Sequence, residues 1–183
     1  MMKHIDESAY IKRILNGETE LFAYFLDRYS RPLYSLIIQI VSSPEDTEEL
    51  LQDVFLKAFQ SLGSYRGGSS FSTWLYRIAY NKAISATRKK KNECFYIEES
   101  VINNVSDDEA EHIMVLSDNE EQLLKLSHAI GWLSAEEKAL ITLFYYEEKT
   151  IEEVALIFAW TQVNVKVKLH RVRKKLYVLM NGK

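Results

Sequence analysis

The sequence predicts an all-α protein of two helical-bundle modules joined by an acidic linker, the second module being a helix-turn-helix. Three observations carry this. Glycine and proline are scarce, six and two among 183 residues, so long stretches lack the punctuation that strands and tight turns need. Apolar residues recur at steps of three and four, the helical period, over most of the chain. Several of these runs open on a serine or threonine with acids in the following turn, a common helix start.

The elements follow in order. Glu20 to Val41 carries Leu21, Phe22, Phe25, Leu26, Tyr29, Leu33, Leu36, Ile37 and Ile40 as one wide apolar face. Pro32 inside that run is expected to kink or split the helix. Ser43-Pro44-Glu45-Asp46 is a second start: a capping hydroxyl, proline at the first helical position, and acids at the positive end of the helix dipole. This helix is expected to bury Leu50, Leu51, Val54, Phe55, Ala58 and Phe59. Gly63 to Ser70 holds three of the six glycines and reads as a loop. A third helix follows, with Phe71, Trp74, Leu75, Ile78, Ala79, Ala83 and Ile84 inward, ending in the run Arg88 to Lys91. These elements make a first module over 1–91. From Asn92 to Ser117 the periodicity fades and acids dominate, which predicts a solvated linker with one short helix near Ala110 to Leu116. The second module, 118–183, begins with a helix from Glu120 to Trp132. Ser134 to Glu137 and Thr150 to Glu153 then both fit the capping box, in which the acid three residues after the cap reaches back to the cap amide.

Net charge is only −3, but it is segregated. Ser61 to Lys91 holds seven basic residues and no acid; Asn92 to Gln122 holds ten acids and no Lys or Arg; Thr161 to Lys183 again holds seven basic residues and no acid. A polyanion senses these local blocks rather than the sum. The lone cysteine, Cys94, forms no intrachain disulfide and reads as a spare thiol. Met1 to Tyr10 has no apolar core of a signal peptide, and no apolar run approaches the roughly 20 residues of a membrane span, so a cytoplasmic location is expected. His4, His112, His128 and His170 are scattered, and no nucleophile-base set or phosphate-cradling glycine loop is present. The expectation is no enzyme, no metal and no cofactor.

The C-terminal stretch is the most specific signal. Thr150 to Phe158 reads as a supporting helix, Ala159-Trp160-Thr161 as a turn, and Gln162 to Leu176 as a reader helix. With Val165, Leu169, Val172 and Leu176 inward, the outer face presents Gln162, Val163, Asn164, Lys166, Val167, Lys168, His170, Arg171 and Lys174. Amides at a helix start can pair with adenine, lysine and arginine with phosphate or guanine, and valine methyls with thymine. Arg173 and Lys175 join the candidate phosphate contacts.

Ile151-Glu152-Glu153-Val154-Ala155, followed by Val165-Lys166 and Leu169 to Leu176, resembles region four of the extracytoplasmic-function (ECF) sigma factors. Independently, Pro44 to Phe59 resembles that family's segment for binding core RNA polymerase, and Phe71 to Asn81 resembles its segment for melted promoter DNA. The resemblance implies a non-catalytic subunit of RNA polymerase that recognises and melts promoters, with core polymerase, promoter DNA and an anti-sigma factor as partners. Matching core-binding positions are Asp46, Glu49, Gln52, Asp53 and Phe55. Matching minus-ten positions are Tyr65, Arg66, Ser69, Ser70, Trp74, Arg77, Asn81 and Lys82, and the exposed reader face is implied to take the minus-thirty-five element. Stacking on Tyr65 and Trp74, with hydrogen bonds from Asn81, suits unstacked bases. The chain departs from the family at Ala159, where glycine is usual, and at Val163 and Val167, where small residues are usual.

Two other readings stand beside this one. A helix-turn-helix regulator with an N-terminal ligand-sensing module would bind DNA alone, but would not need the basic block over Ser61 to Lys91. A protein-interaction adaptor would need neither of the acid-free basic blocks.

Overall fold

The computed structural model describes residues 7–88, 97–112 and 120–182. Lys89, Lys90, Lys91, Cys94 and His4, and the 113–116 end of the expected linker helix, lie outside these residues. Ten α-helices form among the described residues: α1 (Glu7–Leu15), α2 (Ala23–Val41), α3 (Pro44–Ser61), α4 (Phe71–Thr87), α5 (Glu99–Asn103), α6 (Asp107–His112), α7 (Glu120–Gly131), α8 (Ala135–Ile141), α9 (Ile151–Phe158) and α10 (Gln162–Asn181). Two compact units result, separating between 89 and 90, with Leu156–Phe158 counted in the first.

In the first unit α2, α3 and α4 pack on one another in all three pairings. Phe25, Leu33, Leu36, Ile37 and Ile40 from α2 are buried, with Val54 and Ala58 from α3 and Leu75, Tyr76, Ala79 and Ala83 from α4. Pro32 neither splits nor ends α2. A mid-helix proline costs about 3 kcal/mol. Six buried side chains on α2, each worth roughly 1.5–3 kcal/mol, outweigh it. Helix α1 is held to α2 by Tyr29, whose hydroxyl donates to Glu7 Oε1 at 2.6 Å. Ser43 Oγ accepts from the Asp46 N–H at 3.2 Å, with Pro44 at the first helical position. Thr47 is fully buried, and its hydroxyl donates to the Ser43 carbonyl at 2.7 Å. Two residues expected inside, Leu26 and Phe59, are each 39% exposed. Both lie at the edge of their helix's apolar stripe, which is wider than the contact it makes.

In the second unit α10 packs against α5, α6, α7 and α8. The expectation for 92–117 needs correction. Its described part, 97–112, is not a solvated linker: α5 and α6 form, Ile102 and Val105 are buried, and Val105 packs with Val178, Ile97, Val101 and Tyr177. Few but regularly placed apolar residues among many acids make this an amphipathic segment, and a partner face on α10 is available to cover it. Both expected capping boxes are present, Ser134 with Glu137 and Thr150 with Glu153.

The turn between α9 and α10 places Ala159 in the left-handed region, φ 56° and ψ 41°. A Cβ there is strained, and glycine relieves that strain at some cost in unfolded-chain entropy. Ala159→Gly should therefore raise stability by about 0.5–1 kcal/mol in urea unfolding followed by circular dichroism.

Candidate nucleic-acid interface

The helix-turn-helix is assembled from local bonds. Thr150 Oγ1 accepts from the Glu153 N–H at 3.2 Å while Glu153 Oε2 accepts from the Thr150 N–H at 3.0 Å. Trp160 N–H donates to the Ala155 carbonyl at 2.9 Å, closing the turn. Thr161 Oγ1 accepts from the Asn164 N–H at 3.1 Å and opens α10. Val165, Leu169, Val172 and Leu176 are buried along α10. The opposite face starts with exposed Gln162, Asn164 and Lys166, together with Val163 at 70% and Val167 at 58% exposure. Two valines this open on a solvated helix have no packing explanation inside the unit.

The remaining candidate cations are not equivalent. Lys168 Nζ lies 2.9 Å from Glu136 Oε1 and 4.6 Å from the centroid of the Trp160 ring. It is held between an acid and a π face, beside a cleft of about 350 Å³ that Ser134, Leu140 and Val167 help to line. Arg173 Nε donates to the Tyr145 hydroxyl at 2.6 Å. Lys175 corrects the expectation of a phosphate contact. It is buried, and its ammonium donates to Glu137 at 2.8 and 3.2 Å. It lies three residues after Val172, at the edge of the buried stripe, on the side that meets Glu137 of α8. His170 Nε2 and Lys174 Nζ both face Asp107 Oδ1, at 3.2 and 2.9 Å, and Arg171 Nη1 faces Glu99 Oε1 at 2.9 Å. Hydrogen bonding from Lys174 and its charge hold the Asp107 carboxyl below the usual carboxylate range.

In the first unit, Tyr65, Phe71 and Trp74 form one aromatic cluster with centroids 5.5–5.7 Å apart. The Tyr65 hydroxyl donates to the Ser69 carbonyl at 2.7 Å, closing a loop that turns at Gly67 with φ 71°. Desolvation, aided by the Glu7 charge, pushes the Tyr65 phenol up from its ordinary value. Trp74 is half-buried, so one part of its ring serves the core and another faces out. Ser70 caps α4 by accepting from the Thr73 N–H at 3.1 Å. Arg66, Arg77 and Asn81 are exposed, with Arg77 and Asn81 on the same side of α4 as Trp74. Lys82 is paired with Asp53 at 2.7 Å, which ties a candidate minus-ten residue to a candidate core-binding one.

On α3, Glu49, Gln52 and Asp53 are exposed and Asp46 is half-buried at the helix start. Phe55 is different. It is 5% exposed and packs edge-to-face on Phe22 at 6.5 Å, so it belongs to the core and offers no contact surface. Leu56, 57% exposed, stands on the face of Gln52 and Asp53 instead and was missed. Helical spacing alone could have found it, since it follows those residues by four and three positions. Among the described residues, no group of three or more His, Cys, Asp or Glu is placed to hold a metal ion, and no helix is long and apolar enough to cross a membrane.

Comparison with known proteins adds independent findings. The profile of Sigma-70 region 2 matches residues 25–93, and that of Sigma-70, region 4 matches residues 123–176. The chain is 30% identical over 173 residues to the ECF RNA polymerase sigma factor SigW of Bacillus subtilis, covering 91% of this chain and 92% of that one. It is 29% identical over 185 residues to the ECF RNA polymerase sigma-E factor of Haemophilus influenzae, covering 96% of each. Among solved structures, CnrH in complex with the cytosolic domain of CnrY superposes with a TM-score of 0.68 at 18% identity, over 96% of this chain and 97% of that one. The sigma factor RpoE from Bartonella quintana, in complex with the anti-sigma factor NepR, gives a TM-score of 0.60 at 23% identity, over 87% and 96%. These two structural likenesses bear on the fold alone.

The Glu137–Lys175 pair lets the inner face of α10 be tested by pH. Desolvation opposes ionisation of Glu137, but hydrogen bonds from Lys175 and the Ser134 N–H outweigh it and hold the carboxyl below its ordinary 4.5. A depressed native value stabilises the fold fully above the unfolded value and progressively less as pH falls through the native one. Glu137→Gln should lower stability by about 2–3 kcal/mol at pH 7, because it leaves Lys175 buried without a counter-charge. The gap to wild type should stay level above pH 4.5 and close below it, as read by urea unfolding between pH 3 and pH 7.

Proposed function

The chain belongs to the ECF family of RNA polymerase sigma factors, and we propose that it directs promoter-specific initiation through two separate DNA contacts and one polymerase contact. It is a binding and melting subunit that leaves catalysis to the core enzyme, and it works in the cytoplasm with that enzyme.

The observation that carries the reading is the division of α10. One stripe is buried, and the opposite face opens with Gln162, Asn164 and Lys166 free of the core at the N-terminal end. A reader helix meets base edges with its first turns. Gln162 and Asn164 are assigned to adenine edges in the minus-thirty-five element, Val163 and Val167 to thymine methyls, and Lys166 to phosphate. His170, Arg171 and Lys174 extend the track along the backbone. Lys168 is assigned to orienting the turn through Trp160 and Glu136 rather than to reading a base.

In the first unit the Tyr65–Phe71–Trp74 cluster supports capture of unstacked bases of the minus-ten element, with Arg66, Ser69, Ser70, Arg77 and Asn81 around it. Aromatic faces stack on extruded bases whatever their sequence, while polar neighbours select among them. The α3 face of Asp46, Glu49, Gln52, Asp53 and Leu56 is assigned to core polymerase, with Leu56 replacing Phe55 as the apolar contact. An anti-sigma factor is proposed as the regulating partner.

Run-off transcription with purified core polymerase on genomic fragments tests the whole reading; no promoter-dependent transcript from any fragment overturns it. With the cognate promoter in hand, Gln162→Ala or Asn164→Ala should lower promoter-directed initiation by about 1–3 kcal/mol, roughly five- to 150-fold, as expected for loss of a bidentate base contact. Asp53→Ala should weaken core binding on gel filtration. Its pair with Lys82 is exposed, so the urea midpoint should correspond to a stability change of no more than about 1 kcal/mol.

A further inference from the structure

We infer that α5 and α6 form an acidic strap that occupies the C-terminal half of the α10 DNA-reading face and competes there with DNA phosphates. The inference rests on the assignment of α10 to duplex DNA. Three of the nine reader-face residues are engaged by two carboxylates of the strap. Glu99 meets Arg171 at 2.9 Å, and Asp107 meets Lys174 at 2.9 Å and His170 at 3.2 Å. These are the contacts a phosphate track would make with the same side chains.

The strap has its own anchor, separate from the reading residues. Ile102 and Val105 are buried, Val105 packs with Val178, and the Tyr177 hydroxyl donates to Glu109 Oε1 at 2.9 Å. It therefore lies along α10 by apolar contact and presents its acids to the cations one turn away. The first turns of α10, with Gln162, Asn164 and Lys166, remain exposed. Arg171 and Glu99 keep 54% and 64% of their side-chain surface. Such pairs are weak and screened by salt, so a dense array of phosphates displaces them. The strap thus lowers affinity for duplex in general without blocking the base-reading end.

The test compares three full-length proteins by fluorescence anisotropy on a labelled 30-base-pair duplex of arbitrary sequence. E99Q/D107N removes the strap's two facing charges. E120Q/E121Q removes the same charge from α7 and controls for bulk electrostatics. E99Q/D107N should bind three- to tenfold tighter than the control at low salt, with a steeper dependence of affinity on salt because more ions are released. V105S, which loosens the anchor and leaves net charge unchanged, should also bind tighter than wild type. Equal affinities for E99Q/D107N and the control, with V105S at the wild-type value, overturn the strap while leaving the DNA assignment intact. No duplex binding by any of the proteins removes the DNA assignment, and the strap with it.

Discussion

The second unit depends on one constraint on α10: its twenty residues must present an unbroken apolar stripe inward and stay soluble outward. Val165, Leu169, Val172 and Leu176 satisfy the first demand at steps of four, three and four. That spacing sets the rotation of the helix, and the rotation decides the fate of every other side chain on it. Lys168, one position before Leu169, is partly covered at the edge of the stripe, whereas Lys174 lies on the opposite face and is partly covered where it meets Asp107. Lys175, at the equivalent edge position one before Leu176, is buried and has Glu137 as its counter-ion. The outward face receives what remains, a row of amides and cations with two bare valines.

A basic helix that is free on one side attracts acid from within its own chain. The acid-rich segment between the basic blocks belongs to the same chain, carries enough apolar residues to bind, and finds on α10 both a hydrophobic seat and matching charges. Segregated charge thus has two consequences at once. It gives the chain local surfaces that phosphate senses despite a net charge of −3, and it gives those surfaces an internal rival.

The first unit shows the same economy of residues. Trp74 and Tyr65 belong to one aromatic cluster that closes the bundle end and fixes the loop between them. Asp53 and Lys82 cross-link α3 and α4 while standing among the residues assigned to polymerase and to promoter. Aromatic and charged groups placed this way are pre-oriented, so less conformational freedom is lost when a partner arrives.

Much of this was readable from the chain alone, and the reason is locality. Helix starts at Ser43, Ser134, Thr150 and Thr161 depend on bonds spanning three residues, and the stripe of α10 on steps of three and four. The strain at Ala159 follows equally from its place in a turn. What tertiary structure alone decided concerns partners far apart in sequence. Glu136 reaches Lys168 across 32 residues, Glu137 reaches Lys175 across 38, and Glu109 reaches Tyr177 across 68. No periodicity announces such pairings. They removed Lys175 from the reading surface and turned Lys168 into a clamp. Packing on Phe22 likewise drew Phe55 into the core and left Leu56 outside. The sequence by itself determined that a long helix with one apolar and one polar face follows the turn; only packing between distant elements decided which of those polar groups stay exposed.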